Sequence, residues 1–211
     1  RAERERARRL AALSGVIMRT RSIERGVALI WLAAVTLVGV LARGDVGAYS
    51  RALALARGLG LMSLCFLALA LCVTPFARML ATVHRPLARV SAVRRALGLA
   101  ALGSAVLHVL GGSAQSPLRL SEQYQEPALR WGLGALLVLC VLGLTSFGAV
   151  LRRLRLSTWK ELHRLAYVAF GCALIHALSM PFAWTLGLLG IGAFVLIFGF
   201  ARLLPRRAAD P

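Results

Sequence analysis

Residues 59–80 read LGLMSLCFLALALCVTPFARML, an apolar run long enough to cross the hydrocarbon core of a bilayer. The run shows no period-2 alternation, and its one charged residue, Arg78, lies near its end. Backbone groups in lipid must be paired within the protein, and without alternation this pairing requires a helix rather than a barrel strand. The stretch therefore predicts an α-helical membrane protein.

Similar apolar runs recur along the rest of the chain. Its 211 residues are 59% apolar and its mean hydropathy is +0.74, whereas an average soluble domain is about 45–50% apolar. We expect an all-α, polytopic six-helix bundle with spans at about residues 27–41, 59–80, 96–112, 131–151, 162–180 and 182–204. A basic arm (residues 1–26) precedes this membrane domain (residues 27–204), and a short tail (residues 205–211) follows it.

Charge is distributed as membrane orientation requires. The net charge of +18 is concentrated in the N-terminal arm, in the loops between spans two and three and between spans four and five, and in the tail. The opposite loops hold mixed charge, so the positive-inside rule places both termini in the cytoplasm. This placement beside apolar runs argues against nucleic-acid binding. The four cysteines lie in apolar runs without Cys-x-x-Cys spacing, which predicts neither disulfides nor a zinc site.

Three histidines lie in the predicted spans, where an ionisable side chain is costly unless it has a partner. His108 lies near the outer end of span three, whereas span five has His163 at its cytoplasmic end and His176 near its outer end. The residues between His163 and His176 correspond to about 20 Å of helix, which brings His176 to the depth of His108. A histidine pair at one depth on separate helices is what a bis-histidine haem b requires.

The inner site is less complete. Arg94 and Arg95 lie just before span three, at the depth of His163, and neither is a usual haem ligand. They are candidates to bind haem propionates or a flavin phosphate, or they are simple topology signals. His84, in the loop before span three, is the candidate for a second inner ligand. His163 and His176 differ by about 220° around an ideal helix, so either span five begins irregularly or the two face different neighbours.

Both the histidines and the glycines also have structural interpretations. A membrane histidine often forms a hydrogen bond with a neighbouring helix. Glycines in spans three and four allow a flat macrocycle to approach the backbone, or they allow close helix packing, which is favoured. These glycines are Gly98, Gly103, Gly111, Gly112, Gly132 and Gly134.

Two motifs resemble the MsrQ (YedZ) family of ferric reductase-like transmembrane haem proteins. The first is RRALGL at residues 94–99 followed by His108, and the second is WKELHRLAY at residues 159–167 followed by His176. The resemblance covers about residues 27–204, and it matches the family's haem histidines to His108, His163 and His176. Thr74-Pro75 and Thr145-Ser146 also fit the family, whereas the long basic arm and the lack of aromatic residues at 109–112 depart from it.

The resemblance implies an electron-transfer subunit of an oxidoreductase in the bacterial inner (cytoplasmic) membrane. It implies haem b, one or two per chain, with FMN as a further candidate cofactor. The implied donor is a cytoplasmic flavin reductase or the quinone pool, and the implied acceptor is a periplasmic molybdopterin methionine sulfoxide reductase, MsrP-like, which repairs oxidised envelope proteins.

The sequence contains no GxGxxG pattern, so we expect no NAD(P)H-binding domain in the chain itself. Two alternatives remain from the residues. One is a stand-alone ferric-reductase-like cytochrome b that passes electrons to metal or quinone. The other, from a different class, is a non-redox membrane transporter or assembly factor with structural histidines.

Overall fold

A computed structural model of the chain describes residues 2–42, 48–79, 87–115, 125–147, 156–180 and 185–200, together with residues 122, 150 and 153. The regular secondary structure of these residues is helical, which confirms the predicted all-α class. The helices are α1 (Ala2–Leu41), α2 (Ala48–Met79), α3 (Leu87–Gln115), α4 (Pro127–Ser146), α5 (Leu156–Leu162), α6 (Leu165–Ser179) and α7 (Thr185–Phe200). The predicted tail, residues 205–211, and His84 lie outside the described residues.

Four segments are long and apolar enough to cross a membrane: Thr20–Leu41, Arg51–Ala77, Val90–Ala114 and Pro127–Ser146. Two shorter apolar helices follow, Leu165–Ser179 and Gly187–Leu196. The prediction of a multi-pass helical membrane domain is therefore confirmed. Of the six predicted spans, four reach membrane length within the part of the chain that the structure describes.

The first three helices begin well before the predicted spans, and α3 begins at Leu87 rather than near residue 96. Helix α2 begins at Ala48 rather than near residue 59, because exposed Arg51 and Arg57 interrupt the apolar run without interrupting the helix. Arginine is a good helix former, so hydropathy alone places this start too late. Helix α1 runs without a break from Ala2, so the basic arm and the first span form one continuous helix.

Span five begins irregularly, which was one of the two predicted solutions to the offset between its histidines. Helix α5 ends at Leu162, and α6 begins at Leu165. Between them the N–H of Ala166 bonds to the His163 carbonyl at 3.4 Å, and the N–H of Tyr167 bonds to the Arg164 carbonyl at 3.0 Å. These bonds to the third preceding residue tighten the chain locally, so His163 occupies a turn rather than a regular helix.

The core lies where two helix pairs meet, α2 packed along α3 and α4 packed along α6, with α7 against α2. Small side chains permit close approach at its centre, where Ala101 of α3 and Ala169 of α6 are fully buried. Larger apolar side chains fill the remaining space, among them Leu64, Leu67, Leu71, Leu139, Phe170 and Leu188.

Helix α1 packs mainly on α3 and is joined to it by a polar contact within the membrane segment. Trp31 Nε1 donates a hydrogen bond to Ser104 Oγ at 2.9 Å, and Ser104 Oγ in turn donates to the Ala100 carbonyl at 2.8 Å. The indole also lies against Gly103. Because a polar group in lipid must find a partner within the protein, this chain of bonds fixes α1 against α3 one turn before His108.

Candidate haem site

His108 of α3 and His176 of α6 face each other. Their ring centroids are 6.0 Å apart and their planes cross at 64°. The sequence predicted a common depth for these two side chains, and the structure brings the rings together between the two helix pairs. His108 and His176 form the outer pair.

A backbone carbonyl of α2 holds the His108 ring. Its Nδ1 lies 2.7 Å from the carbonyl oxygen of Ala56. A carbonyl only accepts hydrogen bonds, so Nδ1 carries the proton and donates it. Nε2 is then the unprotonated nitrogen, which is the form of imidazole that binds a metal.

A backbone carbonyl of α4 holds the His176 ring in the same way. Its Nδ1 lies 2.8 Å from the carbonyl oxygen of Ala128 and donates to it. Both members of the outer pair therefore have the same tautomer, and each is oriented by the helix that packs along its own. Metal-ligating histidines commonly donate their second ring N–H to a backbone carbonyl, which fixes the tautomer and the ring orientation.

The outer pair suits a haem iron. A metal between the rings would form two metal–nitrogen bonds of about 2 Å. These two bonds, together with the distance from each ring nitrogen to its ring centroid, come close to the 6.0 Å between the centroids. The described residues contain no group of three or more His, Cys, Asp or Glu side chains that could hold a metal ion. Two facing imidazoles match a metal that brings its other ligands with it, as iron in a porphyrin does.

His163, the inner histidine, is held differently. Its Nδ1 lies 3.1 Å from the carbonyl of Trp159, one turn earlier in the same segment, and its ring lies against the Trp159 ring at 4.1 Å between centroids. Its Nε2 lies 3.4 Å from Ser146 Oγ, whose hydroxyl also donates to the Leu142 carbonyl at 2.7 Å. One hydroxyl proton cannot serve both acceptors, so Nε2 of a neutral His163 is only weakly held.

The two candidate arginines have different surroundings. Arg94 Nη1 donates to Thr74 Oγ1 at 3.3 Å, and the arginine lies within electrostatic range of His163. Arg95 instead forms an ion pair with Glu24 of α1. The structure thus brings Arg94 to the inner site and uses Arg95 to tie α1 to α3. Within the described ranges, no second histidine lies beside His163.

The glycines fall into three groups. Gly60 and Gly132 lie against the rings of His108 and His176. Helix packing, the favoured interpretation, applies to Gly103, which lies against Trp31, and to Gly111, which lies against Ala56. A Cβ at Gly98, Gly112 or Gly134 would meet nothing within 4 Å.

Sequence reasoning did not single out Ala56, Gly60 or Ala128. Their contribution is a backbone carbonyl or a missing side chain, neither of which has a chemical signature. The one signal in the sequence that could have pointed to Gly60 is that a glycine on a neighbouring span lies at the depth of a histidine.

Membrane-length helices around a pair of facing histidines are typical of transmembrane haem domains. A family model described as ferric reductase like transmembrane component matches residues 59–174, more than half of the chain. The match contains His108 and His163 and ends just before His176.

Three relatives carry one name, protein-methionine-sulfoxide reductase heme-binding subunit MsrQ. The protein from Deinococcus radiodurans is 42% identical over 88 residues, 40% of this chain and 44% of the relative. The protein from Azospira oryzae is 34% identical over 132 residues, 59% of this chain and 54% of the relative. The protein from Cronobacter sakazakii is 34% identical over 151 residues, 65% of this chain and 70% of the relative.

The chain spans about half the length of the first two of these curated relatives. It belongs to the MsrQ family of ferric reductase-like transmembrane proteins.

Proposed function

We propose that the chain carries electrons across the bacterial inner membrane as the haem-binding subunit of a methionine sulfoxide reductase system. The donor is a cytoplasmic flavin reductase or the quinone pool, and the acceptor is a periplasmic molybdopterin reductase similar to MsrP. The observation that carries the proposal is the outer pair, His108 and His176, 6.0 Å apart and held through Nδ1 by carbonyls of two other helices. The names of the relatives support both the haem and the reductase partner.

The two outer histidines would bind haem b through Nε2. When bound, haem supplies a one-electron iron couple, whose potential depends on axial ligation, burial and hydrogen bonding. The protein's part is to hold both rings in one tautomer and orientation and to surround them with apolar helices. Ala101 and Ala169, both fully buried, keep the two helix pairs close beside the site.

His163 and Arg94 would form an inner site nearer the cytoplasm. His163 is a candidate ligand of a second haem, with His84 as the candidate partner, and Arg94 is a candidate to bind a propionate or the phosphate of FMN. The long contact between Ser146 Oγ and His163 Nε2 supports this role, because a metal that binds Nε2 would break only a weak hydrogen bond. Arg95 remains a candidate for the same anions, in competition with Glu24.

The proposed topology has six spans with both ends in the cytoplasm, and α6 and α7 serve as the fifth and sixth. The basic arm at residues 1–26 and the tail at 205–211 then lie on the cytoplasmic side. The concentration of arginine on alternate loops supports this arrangement.

Haem content tests the site. Haem per chain and reduced-minus-oxidised spectra are measured for the wild type, His108→Ala and His176→Ala. We expect a b-type band in the wild type that is lost, or falls by about half, in each histidine variant. Gly134→Ala is the matched control, because a Cβ there meets nothing within 4 Å. An intact band in both histidine variants would contradict the site.

Reconstitution tests the partners. The haem-loaded chain is placed in liposomes with a flavin reductase and NADH at the face that carries the basic arm. A periplasmic molybdopterin reductase and methionine sulfoxide are placed at the other face. We expect methionine to form only when all components are present. Electron delivery to ferric iron or quinone alone would instead favour a stand-alone cytochrome, and a chain without haem would favour a non-redox membrane protein.

A further inference from the structure

The two halves of the outer pair are built by the same device on two different helices. On α2 the carbonyl that holds His108 belongs to Ala56, and Gly60 follows one turn later. On α4 the carbonyl that holds His176 belongs to Ala128, and Gly132 follows one turn later. In each case an alanine carbonyl and a glycine four residues on form a shallow cradle for one imidazole ring.

Glycine is required at positions 60 and 132 because any side chain there would cover the carbonyl that holds the imidazole. A side chain on a helix covers the turn N-terminal to its own Cα, so a residue at position 60 or 132 would lie over the carbonyl four residues earlier. A Cβ at Gly60 would come 3.0 Å from His108 Nδ1 and 3.1 Å from its Cε1. A Cβ at Gly132 would come 3.0 Å from His176 Nδ1 and 3.1 Å from both Cε1 and Cγ.

Other glycines on the same helices do not share this position. Gly58 lies against Val38 of α1, and Gly134 faces open space. A Cβ at Gly111 would lie 3.6 Å from Ala56 Cβ, so α2 and α3 already approach closely where the His108 cradle lies. Contact with an imidazole is therefore specific to Gly60 and Gly132 among the glycines of α2 and α4.

We propose that Gly60 and Gly132 are positioning residues for the axial ligands, because they keep open the two carbonyls that fix the tautomer and plane of His108 and His176. This inference rests on the proposed function. A donated Nδ1–H makes an imidazole a more basic ligand, which favours ferric iron and lowers the reduction potential. The two ring planes cross at 64°, and crossed planes of this kind would give a bound ferric haem a strongly anisotropic low-spin EPR signal.

The test compares Gly60→Ala and Gly132→Ala with Gly134→Ala in the haem-loaded protein in nanodiscs. Midpoint potential and ferric EPR are measured beside haem content. We expect both cradle variants to retain haem, to shift the potential upward, and to move the EPR signal towards that of less crossed rings. The control is expected to match the wild type in all three measurements.

Chemical rescue tests the same carbonyls without relying on how the alanine variants fold. In His108→Gly, free imidazole can donate an N–H to the Ala56 carbonyl, whereas 1-methylimidazole binds iron but has no N–H and places a methyl group near Gly60. We expect imidazole to restore the wild-type spectrum and potential. With 1-methylimidazole we expect weaker binding or a higher potential.

The outcomes separate this inference from the function on which it rests. Equal rescue by both imidazoles, or cradle variants with unchanged potential and EPR signal, would overturn the positioning role while the haem assignment stands. Haem that persists in both histidine-to-alanine variants, or a wild type without haem, would overturn both.

Discussion

The outer pair and the inner histidine differ in what holds the ring. His108 and His176 donate to main-chain carbonyls of neighbouring helices at 2.7 and 2.8 Å. His163 bonds to a carbonyl of its own segment at 3.1 Å, and its other nitrogen contacts a serine hydroxyl at 3.4 Å. A carbonyl in a packed helix cannot rotate away, whereas a hydroxyl can. Packing between helices therefore fixes the ring orientation at the outer site, whereas contacts close in sequence fix it at the inner site.

The largest expected effect separates the two regions by haem content. We expect His176→Ala to remove the whole outer haem, because His176 is the imidazole that faces His108. We expect His163→Ala to retain at least half of the haem, because the outer pair makes no use of it. Pyridine haemochrome assay per chain measures both. Equal and complete loss in the two variants would show that the sites depend on each other.

A smaller effect is expected from the bond that fixes α1 beside the outer pair. Ser104→Ala removes a fully buried hydroxyl and leaves Trp31 Nε1 without its acceptor. An unsatisfied buried donor costs about 1–3 kcal/mol, so we expect the free energy of unfolding to fall by about that amount in a detergent titration. Thr36→Ala is the control, since Thr36 is exposed and bonds within its own helix. Equal stability of the two variants would contradict the role of this bond.

The inner site is expected to respond weakly and locally. Ser146→Ala removes a contact of 3.4 Å to His163 Nε2, which is near the long limit for a hydrogen bond. We therefore expect the free energy of unfolding, measured by detergent titration, to fall by less than about 1 kcal/mol. The outer haem's midpoint potential should not change. A shift of that potential as large as the one expected for Gly132→Ala would remove the distinction between the two regions.

The smallest effect is expected from Glu24→Gln, which breaks the ion pair with Arg95. The side chains are 33% and 34% exposed, and pairs open to solvent contribute about 0–1 kcal/mol. Any loss of stability should disappear at high salt, where such attraction is screened. A loss that persists at 1 M salt would mean that Glu24 does more than pair with Arg95.

The positions of His108 and His176 along their predicted spans were enough to pair them, because the rise per residue is nearly constant in a membrane helix. Sequence reasoning also gave an irregular start of span five as one of two alternatives, because thirteen residues do not return to the same helix face. It missed the early start of α2, where Arg51 and Arg57 lower hydropathy but not helix propensity. It missed the acceptors of Ala56 and Ala128 as well, since every residue has a carbonyl and only packing decides which one meets a ring.

The partners of each outer histidine have a consequence for biogenesis. His108 lies on α3 and its carbonyl partner on α2, and these helices are consecutive along the chain. His176 lies on α6 and its carbonyl partner on α4, and only the short α5 separates them. Contacts close in sequence form before distant ones, so each half-site can form inside its own inserted hairpin. The outer pair then comes together when the two helix pairs pack against each other around Ala101 and Ala169.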